Sequence, residues 1–273
     1  MKGLWPWIIS ILPVTLSAQS GDLPFQAGAE NAGIGGVQAS SVNVWASHHN
    51  PGLLPWLEHS CLALGSENRF LLKELGSHGL AASIPVKNNA FGLSLVTHGY
   101  QLFRRSRLGL SYGLKLNEQF SAGVSLNYDR LLIAQNLAND GVLTASIGFA
   151  AKIEDDLVIG AYVFNPLNSG FRTIADEKLP VILAISANYA FSDKFNSAVE
   201  VEKSSYFQPV IKLGFDYKAH QMFSFRAGVK TYPQSLSFGF GFDKDNLKID
   251  MAAWIHPILG VSPNLSLQYE FNK

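Results

Sequence analysis

Leu236, Phe238, Phe240 and Phe242 alternate with Ser237, Gly239 and Gly241. After Asp243-Lys244-Asp245-Asn246 the beat returns as Leu247, Ile249, Met251 and Ala253 between Lys248, Asp250 and Ala252. A period of two makes each run a β-strand with one apolar and one polar face, and the two runs make a hairpin. The polar face holds Lys248 and Asp250 beside glycines, whereas the other is almost wholly aliphatic and aromatic. A soluble sandwich turns its charges to bulk water; this pattern fits a barrel that is apolar toward lipid and polar toward its lumen.

The alternation extends from Ser60 to Phe271 in about fourteen runs, an even number as single-chain bacterial barrels have. The fold class is therefore all-β, a transmembrane antiparallel β-barrel. The sixth run is placed at Val142 to Lys152 and the last at Asn264 to Phe271. An arginine or lysine on the lipid face at mid-depth costs about 2–4 kcal/mol, so Arg226 and Lys248 must point inward. With them on the lumen face go Glu200, Glu202, Lys212, Asp216, Asp250 and Glu270. Mixed signs on neighbouring strands imply that these charges pair with each other and with polar groups inside the barrel; an ion-selective filter is the sharper alternative. Every other link is short and polar, as at Asn88, Asn117, Asp193 and Asp245. The intervening links are longer on average, notably Asn165 to Lys178 and the stretch around Pro257. Phe120, Tyr189, Phe191, Phe195, Tyr217, Phe223, Phe242, Tyr269 and Phe271 sit beside the short links or the C-terminus, where an aromatic girdle belongs.

Residues 1–18, with Lys2, an apolar run from Leu4 to Leu16 and small residues ending at Ala18, read as a secretory signal peptide. Residues 19–57, rich in Gly, Ala, Ser and Asn, read as a plug tucked into the lumen, and residues 58–273 as the barrel. No run of about eighteen apolar residues follows the leader, so no transmembrane helix is expected. A formal net charge of zero without a basic run gives nucleic acid no electrostatic footprint. Cys61, the single cysteine, reads as a small buried residue.

The stretch Ala27-Gly28-Ala29-Glu30-Asn31-Ala32-Gly33-Ile34-Gly35-Gly36-Val37, followed by Asn50-Pro51-Gly52-Leu53-Leu54, resembles the glycine-rich opening of the FadL-like long-chain fatty-acid transporters. It equally resembles that of the PorV and PorQ proteins of Bacteroidota. The resemblance implies an outer-membrane barrel of about fourteen strands with the N-terminal segment folded into the lumen; the even strand count places both chain ends on the periplasmic side. The final strand, Asn264 to Phe271, looks like the C-terminal signature of such barrels. In the plug, Gly33, Gly35 and Gly36 permit positive φ and close backbone approach, and Asn50, Pro51 and Gly52 start a turn or short helix.

No nucleophile elbow, phosphate loop or metal motif is present; His48 and His49 are adjacent without further ligands, and the apolar faces show no Ser/His/Asn trio at one depth. The expectation is a non-enzymatic, monomeric barrel with no cofactor and no metal, surrounded by outer-membrane lipid. The first reading, which the PorV resemblance implies, is an accessory or shuttle role in type IX-like secretion, with secretion proteins as partners; the readings that follow are its alternatives. The FadL resemblance implies uptake of small hydrophobic molecules, and a polar diffusion pore is the third reading.

Overall fold

A computed structural model of the chain describes residues 27–134, 138–154, 156–172 and 178–271; the expected signal peptide and residues 19–26 lie outside the described residues. The strands are β1 (Ser60–Asn68), β2 (Gly76–Val86), β3 (Asn89–Gly99), β4 (Phe103–Lys115), β5 (Phe120–Ile133), β6 (Ala138–Glu154) and β7 (Leu157–Phe164). They continue as β8 (Ile182–Ser192), β9 (Phe195–Ser204), β10 (Val210–His220), β11 (Phe223–Lys230), β12 (Ser235–Lys244), β13 (Leu247–His256) and β14 (Gly260–Phe271). Each pairs antiparallel with its chain neighbours, and β1 pairs with β14 from Ser60↔Phe271 to Glu67↔Asn264, closing the cylinder. No helix among the described residues is long and apolar enough to cross a membrane.

Alternation sets the two faces. On β12, Leu236 and Phe238 are more than half exposed while Ser235 and Ser237 are buried. The same holds on β5, with Val124 and Leu126 out and Ser125, Asn127 and Asp129 in. An outer wall of Leu, Val, Ile and Phe with a polar inside is the arrangement that hydrocarbon demands. Aromatic rings near the two-residue turns touch one another, as in Tyr189–Phe191 at 4.8 Å, Phe191–Phe195 at 5.8 Å, Phe223–Phe242 at 5.5 Å and Tyr269–Phe271 at 5.0 Å.

Two of the expected long links are shorter than the sequence suggests. Strand β6 starts at Ala138, so the link after β5 shrinks, and β14 starts at Gly260 and runs through Pro263. Proline lacks a backbone donor, but β1 pairs with β14 only up to Asn264, so at Pro263 the β1 side of the ladder has already ended. The link from Asn165 to Val181 stays long. It carries an isolated bridge between Gly170 and Lys178, and Asn165 donates to the carbonyls of Ser169 and Leu179.

The lipid-facing assignment has a direct test. Phe238→Arg should lower unfolding stability in bilayers by about 2–4 kcal/mol, read from denaturant titration of vesicle-folded protein. A loss under about 1 kcal/mol would move Phe238 out of the hydrocarbon.

Candidate functional site

Residues 27–57 lie inside the cylinder, almost all buried. The segment has one short helix, Ala29–Gly33, then 3₁₀ turns at Val44–Ser47 and Pro51–Trp56. Asn43 and Asn50 cap the two turns: Asn43 Oδ1 accepts from Trp45 N at 3.1 Å and Asn50 Oδ1 from Gly52 N at 3.0 Å. Asn50, fully buried, also donates through Nδ2 to the carbonyls of Ala39 at 2.6 Å and Phe149 at 3.0 Å, tying the segment to β6.

Wall residues that face inward accept this segment in two ways. Where the wall has glycine, backbone meets backbone. A Cβ on Gly239 would stand 3.0 Å from Gly33 Cα, one on Gly123 2.5 Å from the Pro51 carbonyl oxygen, and one on Gly148 2.8 Å from Gly52 N. Gly160, Gly214 and Gly228 are pressed equally hard against Ala39, Ile34 and Gly35. Where the wall has serine, its hydroxyl completes the segment's hydrogen bonds. Ser237 Oγ accepts from Gly35 N and donates to the Gly33 carbonyl, both at 3.0 Å. Ser111 donates to the Ser47 carbonyl at 2.7 Å and Ser121 to the Gly52 carbonyl at 2.6 Å. Buried backbone groups left unpaired would each cost about 1–3 kcal/mol, so these serines fix the depth of the segment.

Charges form two further anchorages. Glu200, fully buried on β9, accepts through Oε2 from the backbone amides of Gln38 at 2.8 Å and Ala39 at 2.7 Å. Its other oxygen takes Lys212 Nζ at 2.8 Å, and the same ammonium reaches Glu202 at 2.8 Å. In the second cluster Arg226 holds Asp216 at 2.7 Å and Asp250 at 2.6 Å, while Lys248 holds Glu30 of the segment at 2.7 Å. Seven of the eight lumen charges named from sequence thus fall into two clusters. Glu270 stands apart, accepting from Gln268 Nε2 at 3.0 Å.

Of the segment's glycines, Gly35 and Gly36 have φ of 75° and 77°, and Gly28 has 92°. Gly33 is helical instead; what it needs is lack of bulk, for the β12 backbone at Gly239 and the Arg226 side chain pass against it. Pro51 and Gly52 form the first turn of the 3₁₀ helix pressed on β5 and β6. Sequence reasoning missed Glu30, the one acidic group of the segment, and a third cluster in which Asp129 accepts from Arg107 at 2.8 Å and Thr144 at 2.8 Å. Arg107 and Asp129 do alternate in phase with the inward residues of β4 and β5, so the signal was present.

The lumen is chemically divided. Toward the turns a cavity of about 330 Å³ remains, lined by Glu30, Ser40, Asn43, Asn188, Asp216 and Lys248. Toward the long links, on β5 to β8, the wall carries an apolar group, with the Arg105 guanidinium 5.7 Å over the Phe171 ring. Phe171 and Leu179, from the link after β7, pack on Leu131 with Ile133 and Val142. Tyr162, Phe164, Ile182 and Ala184 continue down to Ala39 of the segment, and the Arg107 guanidinium lies 4.0 Å over the Phe164 ring. Among the described residues no group of His, Cys, Asp or Glu could hold a metal ion.

No protein-family model and no curated protein matches the chain. Solved structures do match. The CymD monoaromatic hydrocarbon channel is 14% identical over 91% of this chain and 98% of its own, with a TM-score of 0.70. The Ralstonia pickettii toluene transporter TbuX is 12% identical over 90% and 98%, also at 0.70. A Pseudomonas aeruginosa FadL homologue is 13% identical over 89% and 98%, at 0.64. Such identities define a shared fold: the chain has the closed fourteen-strand architecture of FadL-like outer-membrane channels.

Two outcomes are expected from the seating of the segment. Gly228→Val leaves no room for Gly35 and should cost about 1–3 kcal/mol, with residues 27–57 becoming cleavable by added protease while the barrel stays folded. Unchanged protection would mean that the segment does not rely on that contact. The second outcome concerns acid. Burial alone would raise the Glu30 carboxyl, but Lys248 and then Arg226 outweigh it and hold it at about 2 against an ordinary 4.5. Burial drives the His49 imidazole down to about 3 from 6.5, against the pull of the Ala27 carbonyl. Both groups bind fewer protons seated than released, so seating is strongest above about pH 6.5. It weakens as pH falls, through His49 from 6.5 toward 3 and through Glu30 from 4.5 toward 2. Thermal unfolding midpoints should fall across that window, and the fall above pH 4.5 should be smaller in His49→Gln.

Proposed function

We propose that this chain is a non-enzymatic outer-membrane conduit for small hydrophobic molecules, with residues 27–57 as its plug, the longer links outside and the turns and barrel ends periplasmic. The observation that carries the reading is the apolar cluster at the loop-side end of β5 to β8, where Leu131, Phe171 and Leu179 meet inside the wall. A polar diffusion pore would line that stretch with hydrated groups. A hydrophobic solute instead gains about 25 cal/mol for each Å² of apolar surface it buries there. The fold shared with hydrocarbon channels supports the same reading. The secretion-accessory role implied by the PorV and PorQ resemblance has no comparable feature of the barrel in its favour.

Initial rates of monoaromatic uptake test this in cells stripped of other hydrocarbon conduits. Expression of the chain should raise the rate, and Phe171→Asp should reduce the gain about tenfold or more, since a buried carboxylate drawn to the Arg105 guanidinium replaces apolar surface. No gain over empty cells, together with secretion proteins recovered on the purified barrel, would overturn the proposal in favour of the secretion role.

A further inference from the structure

The outer wall is not apolar throughout. Following the register from β1, the outward side chains Ser66, His78, Thr97, Ser106 and Arg130 are directly opposite one another on five consecutive strands. The row below is Leu64, Leu80, Leu95, Leu108 and Tyr128. Continued the other way from Ser66, the polar row turns into Leu265, Met251, Phe240 and Phe225. The polar side chains are thus confined to one sector.

Depth divides that sector in two. Ser66 stands six residues from Ser60 at the turn end of β1, and Ser106 and Arg130 stand nine and ten residues from Lys115 and Phe120. At a rise of about 3.3 Å and a tilt of about 40°, the first lies roughly 15 Å above the turns and the other two roughly 25 Å, the full height of an apolar band. Ser66 and His78 are therefore within hydrocarbon and satisfy each other, Oγ to Nδ1 at 3.2 Å. Arg130 reaches the headgroup level, and with it Arg104.

Arg104 lies opposite Leu132, which makes it the diagonal neighbour of Arg130, with their backbones about 7–8 Å apart. Both side chains are exposed on the outer face. Arg130 spends Nε and one terminal nitrogen on Asn139 Oδ1, at 3.3 and 3.1 Å, which fixes its plane. Arg104 has no hydrogen bond or ion pair among the described residues. Two guanidinium groups on neighbouring strands, with the Ser106 side chain next to both and apolar wall beneath, are built for a group that is anionic, rich in acceptors and attached to hydrocarbon. Lys203 makes the contrast: it also faces out near the loop end of β9, but alone, and its Nζ is turned to the Phe207 carbonyl.

We infer that Arg104, Ser106 and Arg130 form a binding site for the phosphate of a membrane lipid in the loop-side leaflet, whose acyl chains run down the Leu108 and Tyr128 wall. The barrel thereby carries a specific lipid at one sector of its outer face.

The test is native mass spectrometry of the full-length barrel, released from detergent with equal amounts of phosphatidylglycerol and diacylglycerol. Wild type should retain the phospholipid and not the neutral lipid, and inorganic phosphate should not displace it. R104Q/R130Q should retain it roughly twenty- to thirtyfold more weakly, at about one kcal/mol per arginine, while K203Q should match wild type. Equal retention in R104Q/R130Q, equal loss in K203Q, or displacement by free phosphate would each overturn the inference. Heat-modified gel mobility shows that each variant is folded, and hydrocarbon uptake measured on the same variants separates failure here from failure of the conduit reading.

Discussion

Closure between β1 and β14 is the interaction on which everything else depends. Within hydrocarbon an unpaired amide or carbonyl has no water to turn to, so a sheet can cross a bilayer only if it has no edge. The register Ser60↔Phe271 to Glu67↔Asn264 removes that edge for the first and last strands. It also fixes a circumference, and a ring of fourteen strands is too wide to be filled by its own inward side chains. Something else must occupy the interior, and residues 27–57 do.

The price of that choice is visible in the wall. A segment of mostly small residues brings its backbone close to the strands, so the strands must give up side chains at Gly123, Gly148, Gly160, Gly214, Gly228 and Gly239. Close approach also strands the segment's amides and carbonyls away from water, and Ser111, Ser121, Ser237 and Glu200 answer them. Glycine for room and serine for hydrogen bonds together form a seat distributed over most of the barrel. No single strand specifies it, and a small shift in register anywhere would misalign donors with acceptors.

That distribution explains what the sequence reveals. Strand number and facing were legible because a period of two is local: each run from Ser60 to Phe271 displays it without reference to any other. Strand ends were less legible. Ala138 to Gly141 and Gly260 to Pro263 look like link material, yet they pair because their neighbours β5 and β13 extend that far. The inward charges could be named from alternation alone, but not their grouping. That Lys212 lies between Glu200 and Glu202, and that Lys248 finds Glu30 about two hundred residues away, follows from the closed register. The Ser66–His78 pair escaped for the same reason: each residue interrupts an apolar face singly, and only the β1–β2 pairing places one against the other.

The lumen's two chemistries bear on direction of passage. On the proposed conduit reading, an apolar solute among Phe171, Leu179 and Phe164 would lie beside the Arg105 and Arg107 guanidinium groups and, past Ala39, would meet the charged groups of Glu200, Lys212 and Arg226 and then a cavity rich in amide and carboxylate. Moving straight through would exchange an apolar surrounding for one that must first be stripped of its own hydrogen bonds, an exchange that is uphill for such a solute. The charged clusters are also what hold the segment in place, so loosening them for passage would loosen the seat. Straight transit and a seated segment therefore oppose each other. If the chain is the conduit proposed above, a solute advances only as far as the apolar group extends unless Glu30 and the Gln38–Ala39 amides leave their partners, and the segment's anchorages would then govern exit.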